Sequence, residues 1–161
     1  MSNHGFRVLL VLAALPLAAV QDAAKAPPAA AAPVVQVEAP EGCEHCGMNR
    51  TRFARSRMLV VYADGSKVGT CSLHCMARER REHPDKAVKE LSVANRASVL
   101  QLVDAATAAW VIGGTERGVM TPVPKWAFAS KADAETFIQK NGGRLTGYSE
   151  ALALATQELG K

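Results

Sequence analysis

The chain has 161 residues, 48% of them hydrophobic, and a formal charge of +4 from 19 Lys and Arg against 15 Asp and Glu. That length suits one modest globular core. The positive excess is small and no basic stripe is interleaved with aromatics, so nucleic acid is not an expected partner.

The N-terminus reads as a signal peptide over 1–21. "MSNHGFR" carries one Arg and no acid, and "VLLVLAALPLAAV" at 8–20 is an uninterrupted apolar run of 13. A bilayer span takes about 20 residues; this run matches the core of an export signal, broken by Pro16 near its end. Cleavage after Ala19 or Ala26 fits the small residues that follow. No cysteine is available there for lipidation, so the expected location is periplasmic, with at most weak membrane association. Residues 22–41, "DAAKAPPAAAAPVVQVEAPE", are too poor in bulky side chains to bury a core and are expected to form a disordered Ala/Pro-rich linker. The folded domain is then expected over 42–156.

"MLVVY" at 58–62 is β-rich, "ADGS" supplies turn chemistry, and "KVGTC" is the returning strand. "LHCMARERREHP" is helix-prone until Pro84 stops it. The run "RERRE" at 78–82 mixes signs and reads as a solvated face. Residues 85–106 form a connector, with "RASVLQLVDAAT" ambiguous between strand and helix. "AAWVIGG" at 108–114 is a strand ended by a double glycine, and "KWAFAS" at 125–130 is another. Between them "TERGVMTPVP" is a loop carrying Met120. "KADAETFIQKNGG" at 131–143 is a helix with Ala134, Phe137 and Ile138 on one face and Gly142–Gly143 as its stop. Trp110 and Trp126 are expected in the core. The pattern repeats without the sequence repeating, so the fold class expected is α+β: two consecutive β-β-α units packed into one small domain.

The chemistry is concentrated in "CEHCGM" and "CSLHC", which hold all four cysteines: Cys43, Cys46, Cys71 and Cys75. C-x2-C followed by C-x3-C approaches a zinc spacing. Three features favour a softer ion. Exported proteins carry zinc knots less often. Met48 stands two residues after Cys46, and a thioether is a poor ligand for Zn²⁺ but a good one for Cu(I). Met120 lies in a polar, turn-rich loop with no obvious core partner. His45 and His74 are possible nitrogen donors. No Ser/His/Asp set, paired carboxylates or phosphate loop is present, so an enzyme is not expected. A thiol-disulfide redox protein using Cys43 and Cys46 remains an alternative, although no clear long helix follows "CEHC" to lower a thiol pKa.

"CEHCGM", "YADGSKVGTCSLHC" and "GVMTPVPKWAFASKADAETFIQKNGGRL", in that order and spacing, resemble the NosL family, the accessory proteins of nitrous oxide reductase maturation. The resemblance covers roughly residues 43–150. It implies a periplasmic Cu(I)-binding protein of two β-β-α units, similar to part of organomercury lyase, that delivers copper to a reductase such as nitrous oxide reductase. The chain departs from the family in lacking a lipidated cysteine and in carrying C-x3-C where fewer cysteines are expected. The candidate ligands are Cys46, Met48 and Met120, then Cys43, with Cys71 and Cys75 either completing the site or forming a disulfide, and His74 as a further donor. The expected ion is Cu(I), with Zn²⁺ in a structural four-cysteine site as the alternative.

Overall fold

The computed structural model of the chain describes residues 37–160; the expected signal peptide and most of the expected linker lie outside the described residues. The first unit comprises β1 (Met58–Tyr62), β2 (Lys67–Thr70), α1 (Leu73–Glu82) and β3 (Val88–Asn95), followed by β4 (Ser98–Asp104). The second begins with β5 (Ala109–Ile112). After a long loop it continues through β6 (Lys125–Phe128), α2 (Lys131–Asn141) and β7 (Arg144–Thr146) to α3 (Tyr148–Glu158). The two antiparallel sheets have the orders β2-β1-β3-β4 and β6-β5-β7.

The expected β-β-α units are present as β1-β2-α1 and β5-β6-α2. Each goes one strand further. β3 returns beside β1, and β7 returns beside β5, both antiparallel. The repeated pattern is therefore β-β-α-β, with the first strand of each unit flanked by the other two.

Alternation along the strands sorts side chains between two cores. In β1, Met58, Val60 and Tyr62 point inward. They join Leu73, Met76 and Ala77 of α1, Val93 of β3, Trp110 and Ile112 of β5, and Ala151 and Ala155 of α3 in one cluster. In β5 and β6 the intervening residues Val111, Trp126 and Phe128 face the other way, onto Ala134 and Phe137 of α2. Both tryptophans are buried, as expected. Pro84 follows the end of α1, and Gly142 caps α2.

The connector over 85–106 is a β-hairpin, β3–β4, where the sequence left strand and helix open. Its turn, Arg96–Ala97, has no glycine. Asn95 organises it instead: its Oδ1 accepts from the Ala97 and Ala129 amides, and its Nδ2 donates to Gln101. Residues beyond 143, unassigned from the sequence, supply β7 and α3, and α3 packs against α1 and β5.

At the other end, Glu38, in the expected linker, is part of the fold. It pairs with the buried guanidiniums of Arg50 and Arg57. Arg50 is fully buried, and donates also to the carbonyls of Met58, Thr70 and Glu38. It passes directly over Gly69, where a Cβ would lie 2.7 Å from its Cζ.

Candidate metal centre

Two segments bring the four cysteines together. Residues 41–50 form a closed loop: Gly42 and Asn49 bridge, the Cys43 amide donates to the Met48 carbonyl at 2.9 Å, and the Gly47 amide donates back to the Cys43 carbonyl at 2.9 Å. Gly47 adopts φ +70°, a left-handed conformation that glycine takes without steric penalty. The loop docks beside β2 through a Glu44 amide to Gly69 carbonyl bond of 3.1 Å. The second segment is the β2–α1 junction. Cys71 follows β2, Ser72 is the N-cap, and Cys75 lies in the first turn of α1.

The four Sγ atoms all lie within 4.8 Å of one another. Cys46 Sγ is 3.6 Å from Cys71 Sγ and 3.8 Å from Cys75 Sγ, and Cys71 and Cys75 are 3.8 Å apart. Met48 Sδ is 3.9 Å from Cys71 Sγ. Cys43, Cys71 and Cys75 are buried with Val119, while Cys46 is exposed and Met48 and Phe53 pack partly buried at the margin. The site thus has an enclosed half and a rim. All four cysteines are free thiols, and no disulfide joins Cys71 to Cys75.

The thiols share charge unevenly. S–H donation from Cys71 and Cys75 stabilises the Cys43 thiolate and draws its pKa far below the ordinary thiol value. The same interaction with Cys43 pushes the Cys71 thiol up to about 12, and also raises Cys75. Arg50 is close enough to Cys43 for its charge to be felt there. The α1 N-terminus adds a favourable dipole for anionic sulfur at Cys71 and Cys75. Clustered thiols, a thioether and a partly exposed rim make a donor set for a soft metal ion.

The other sequence candidates fall in different places. Val119 packs into the cysteine cluster, so the backbone of Met120 runs beside it. Met120 itself is 45% exposed and has φ +57°, strained for a residue with a Cβ. His74 is not in the cluster. It lines a separate cavity with Arg78, Arg81, Glu82, Glu158 and Leu159, and its Nδ1 is buried without a hydrogen-bond partner among the described residues. Burial lowers its pKa. His45 is not in the group either, and both its ring nitrogens lie near carboxylates. Its Nε2 lies 2.8 Å from Glu79 and its Nδ1 3.5 Å from Glu82.

The NosL family model matches residues 33–153. The chain belongs to the NosL family. The crystal structure of the copper chaperone NosL from Shewanella denitrificans has the same fold, with a TM-score of 0.57 at 23% identity over 73% of this chain and 96% of that one. No curated protein matches the chain.

Several residues around this NosL-family centre carry no clear mark in the sequence. Glu79 stands in the "RERRE" run, which reads as a solvated face. It is in fact 1% exposed, and also accepts from the Tyr62 hydroxyl at 2.6 Å. The signal that could have found it is the spacing of four from Cys75 to Glu79, which sets both along one side of α1. Arg50 and Val119 have no local signal: one is a buried cation and the other an ordinary loop valine.

Proposed function

We propose that the protein is an exported Cu(I) metallochaperone of the NosL type, which delivers copper for maturation of a copper reductase such as nitrous oxide reductase. The observation that carries this function is the pairing of an enclosed thiol set with an accessible rim. Cys43, Cys71 and Cys75 are buried, whereas Cys46 is exposed and the Met48 thioether sits 3.9 Å from Cys71. A carrier must suppress free ion and still release its cargo. Buried thiolates serve the first need. An exposed thiol and a thioether serve the second, because an incoming ligand from the acceptor can displace them one at a time.

Family membership and the likeness to the Shewanella protein, a copper chaperone, support the same assignment. Export rests on the apolar run at 8–20. Among the described residues no helix is long and apolar enough to cross a membrane.

A structural zinc site is the second reading, and one set of distances favours it. Tetrahedral coordination with Zn–S bonds of about 2.3 Å requires sulfurs about 3.8 Å apart, and Cys46, Cys71 and Cys75 stand 3.6–3.8 Å from one another. The two functions diverge at the methionines. Changing Met48 and Met120 to Leu keeps volume and apolarity but removes the soft donors. For a copper carrier, affinity for the Cu(I) held at the exposed rim falls at least about tenfold, or roughly 1.4 kcal/mol, with Zn²⁺ affinity little changed. For a zinc knot, Cu(I) affinity is unaltered in that variant and zinc chelation unfolds the protein.

A further inference from the structure

The sulfur cluster holds more donors than one Cu(I) uses. Cu(I) is satisfied by about two or three soft ligands. Here four thiols lie within 4.8 Å of one another, and Met48 adds a fifth sulfur. These five are not equivalent. Cys43 and Cys75 belong to the buried set, packed under Val119, while Cys46 is exposed and Met48 is at the margin. Cys71 belongs to both. It is fully buried, yet its Sγ is 3.6 Å from Cys46, 3.8 Å from Cys75 and 3.9 Å from Met48; Cys75 also lies 3.8 Å from Cys46, but Cys71 is nearer and adds the Met48 contact.

We propose, on the basis that the protein is a Cu(I) carrier, that this chain binds two Cu(I) ions in one thiolate cluster bridged by Cys71. The inner ion takes Cys43, Cys75 and Cys71. The outer ion takes Cys46, Met48 and Cys71. A bridging thiolate can serve both ions because sulfur has lone pairs to spare and Cu(I) tolerates close neighbours through shared sulfur. Charge points the same way. Where the thiols ionise on loading, a second Cu(I) offsets charge that one ion leaves uncompensated, and uncompensated charge in a largely buried site is expensive. The inner ion is shielded by Val119 and the protein interior, so it exchanges slowly. The outer ion rests on the exposed thiol and the thioether, so it exchanges fast and is the one handed on.

The test is an anaerobic titration of the reduced chain with Cu(I), using a chromophoric Cu(I) chelator as competitor, with mass spectrometry for stoichiometry and size exclusion for oligomeric state. The expected result is two Cu(I) per monomer, the second bound at least about tenfold more weakly than the first, and a copper–copper scattering path in X-ray absorption of the doubly loaded protein. Cys46→Ser, at an exposed position the fold does not depend on, loses the weak ion and keeps the tight one. Cys43→Ser loses the tight class. Saturation at one Cu(I) per monomer, or a dimer sharing copper between chains, overturns the two-ion cluster but leaves the carrier function standing. No Cu(I) held against the competitor overturns the carrier function itself, and the cluster with it.

Discussion

His45 donates from Nε2 to the buried carboxylate of Glu79 at 2.8 Å. The two residues are 34 positions apart, yet they join the segments that make the sulfur cluster. His45 lies between Cys43 and Cys46, and Glu79 lies one helical turn beyond Cys75 on α1. A buried carboxylate is costly unless paired, and this one is paired by His45 and by the Tyr62 hydroxyl at 2.6 Å. The bond therefore fixes the distance between the C-x2-C loop and the helix that faces it.

Removing that tie should loosen the metal site as well as the fold. His45→Ala is expected to speed Cu(I) loss to a chelator by about 10–100-fold, the usual effect of removing a group that orients metal ligands. The melting temperature should fall as well, because Glu79 keeps the Tyr62 hydroxyl but loses its imidazole partner, so metal loss is compared at a temperature where the variant is folded. X-ray absorption separates this role from direct ligation: the all-sulfur signature should survive the substitution. A loss of nitrogen scattering would make His45 a ligand, and an unchanged dissociation rate would leave the pair without a part in metal holding.

Gly69 should not tolerate a side chain. A Cβ there meets the Arg50 guanidinium at 2.7 Å, and Arg50 cannot swing aside without abandoning its bonds to Met58, Thr70 and Glu38. Gly69→Ala should cost about 1–3 kcal/mol, typical of overpacking, read from the denaturant midpoint. A smaller loss would mean that Arg50 relocates easily.

The Met120 loop is clamped by a buried ion pair. Lys125 Nζ donates to Glu158 at 2.8 Å and to Thr121 Oγ1 at 2.9 Å, and Thr121 also donates to Glu158 at 2.7 Å. Both charged side chains are nearly inaccessible. Glu158→Leu should cost about 3 kcal/mol, because it strands the Lys125 ammonium. Adding Lys125→Met should restore part of that loss in thermal melts. Additive losses in the double variant would show that the pair is not coupled.

Cu(I) affinity should fall on acidification. The Cys71 thiol is held up to about 12 and Cys75 is raised, both chiefly through Cys43, so these thiols are protonated in the metal-free protein. Binding must expel those protons, and acid drives the exchange backwards. Competition against a chelator of known pH behaviour, across neutral pH, measures the slope. An affinity independent of pH would mean the donors were already ionised.

Acid should also weaken the fold at α3. Arg144 and then Thr146 hold the Glu150 carboxyl down to about 2. Its folded pKa therefore lies below the ordinary glutamate value of 4.5, and its contribution to stability is complete above that value. The contribution is lost as pH drops toward about 2. Glu150→Gln should flatten the dependence of melting temperature on pH in that window; an unchanged profile would assign the acid sensitivity elsewhere.

What the sequence made legible follows from what it writes locally. β1, β2, α1, β5, β6 and α2 are each written as a β-rich or helix-prone run, punctuated by stop signals such as "ADGS", Pro84 and Gly142–Gly143. The β3–β4 hairpin is not. Much of it is exposed, including Lys89, Glu90 and Leu100, so no face is written in apolar residues, and its turn relies on the Asn95 side chain. Helix α3 buries only alanines, Ala151 and Ala155, in full, a weak apolar signal. The thiols were legible because cysteine and its spacing are conspicuous. Glu79 was not, because a buried carboxylate inside a charged run looks like its solvated neighbours until the fold brings His45 and Tyr62 to it. Met48 was legible as a soft donor, but its approach to Cys71 depends on the closure of the 41–50 loop.

The most direct measurement is an anaerobic titration of the reduced protein with Cu(I) and Zn²⁺ in competition. A copper carrier built on Cys43, Cys46, Cys71, Cys75 and Met48 should take up Cu(I), displace Zn²⁺ already present, and remain folded when stripped of metal. Retention of Zn²⁺ against Cu(I), with unfolding on its removal, would contradict the copper function and leave a structural zinc domain in its place.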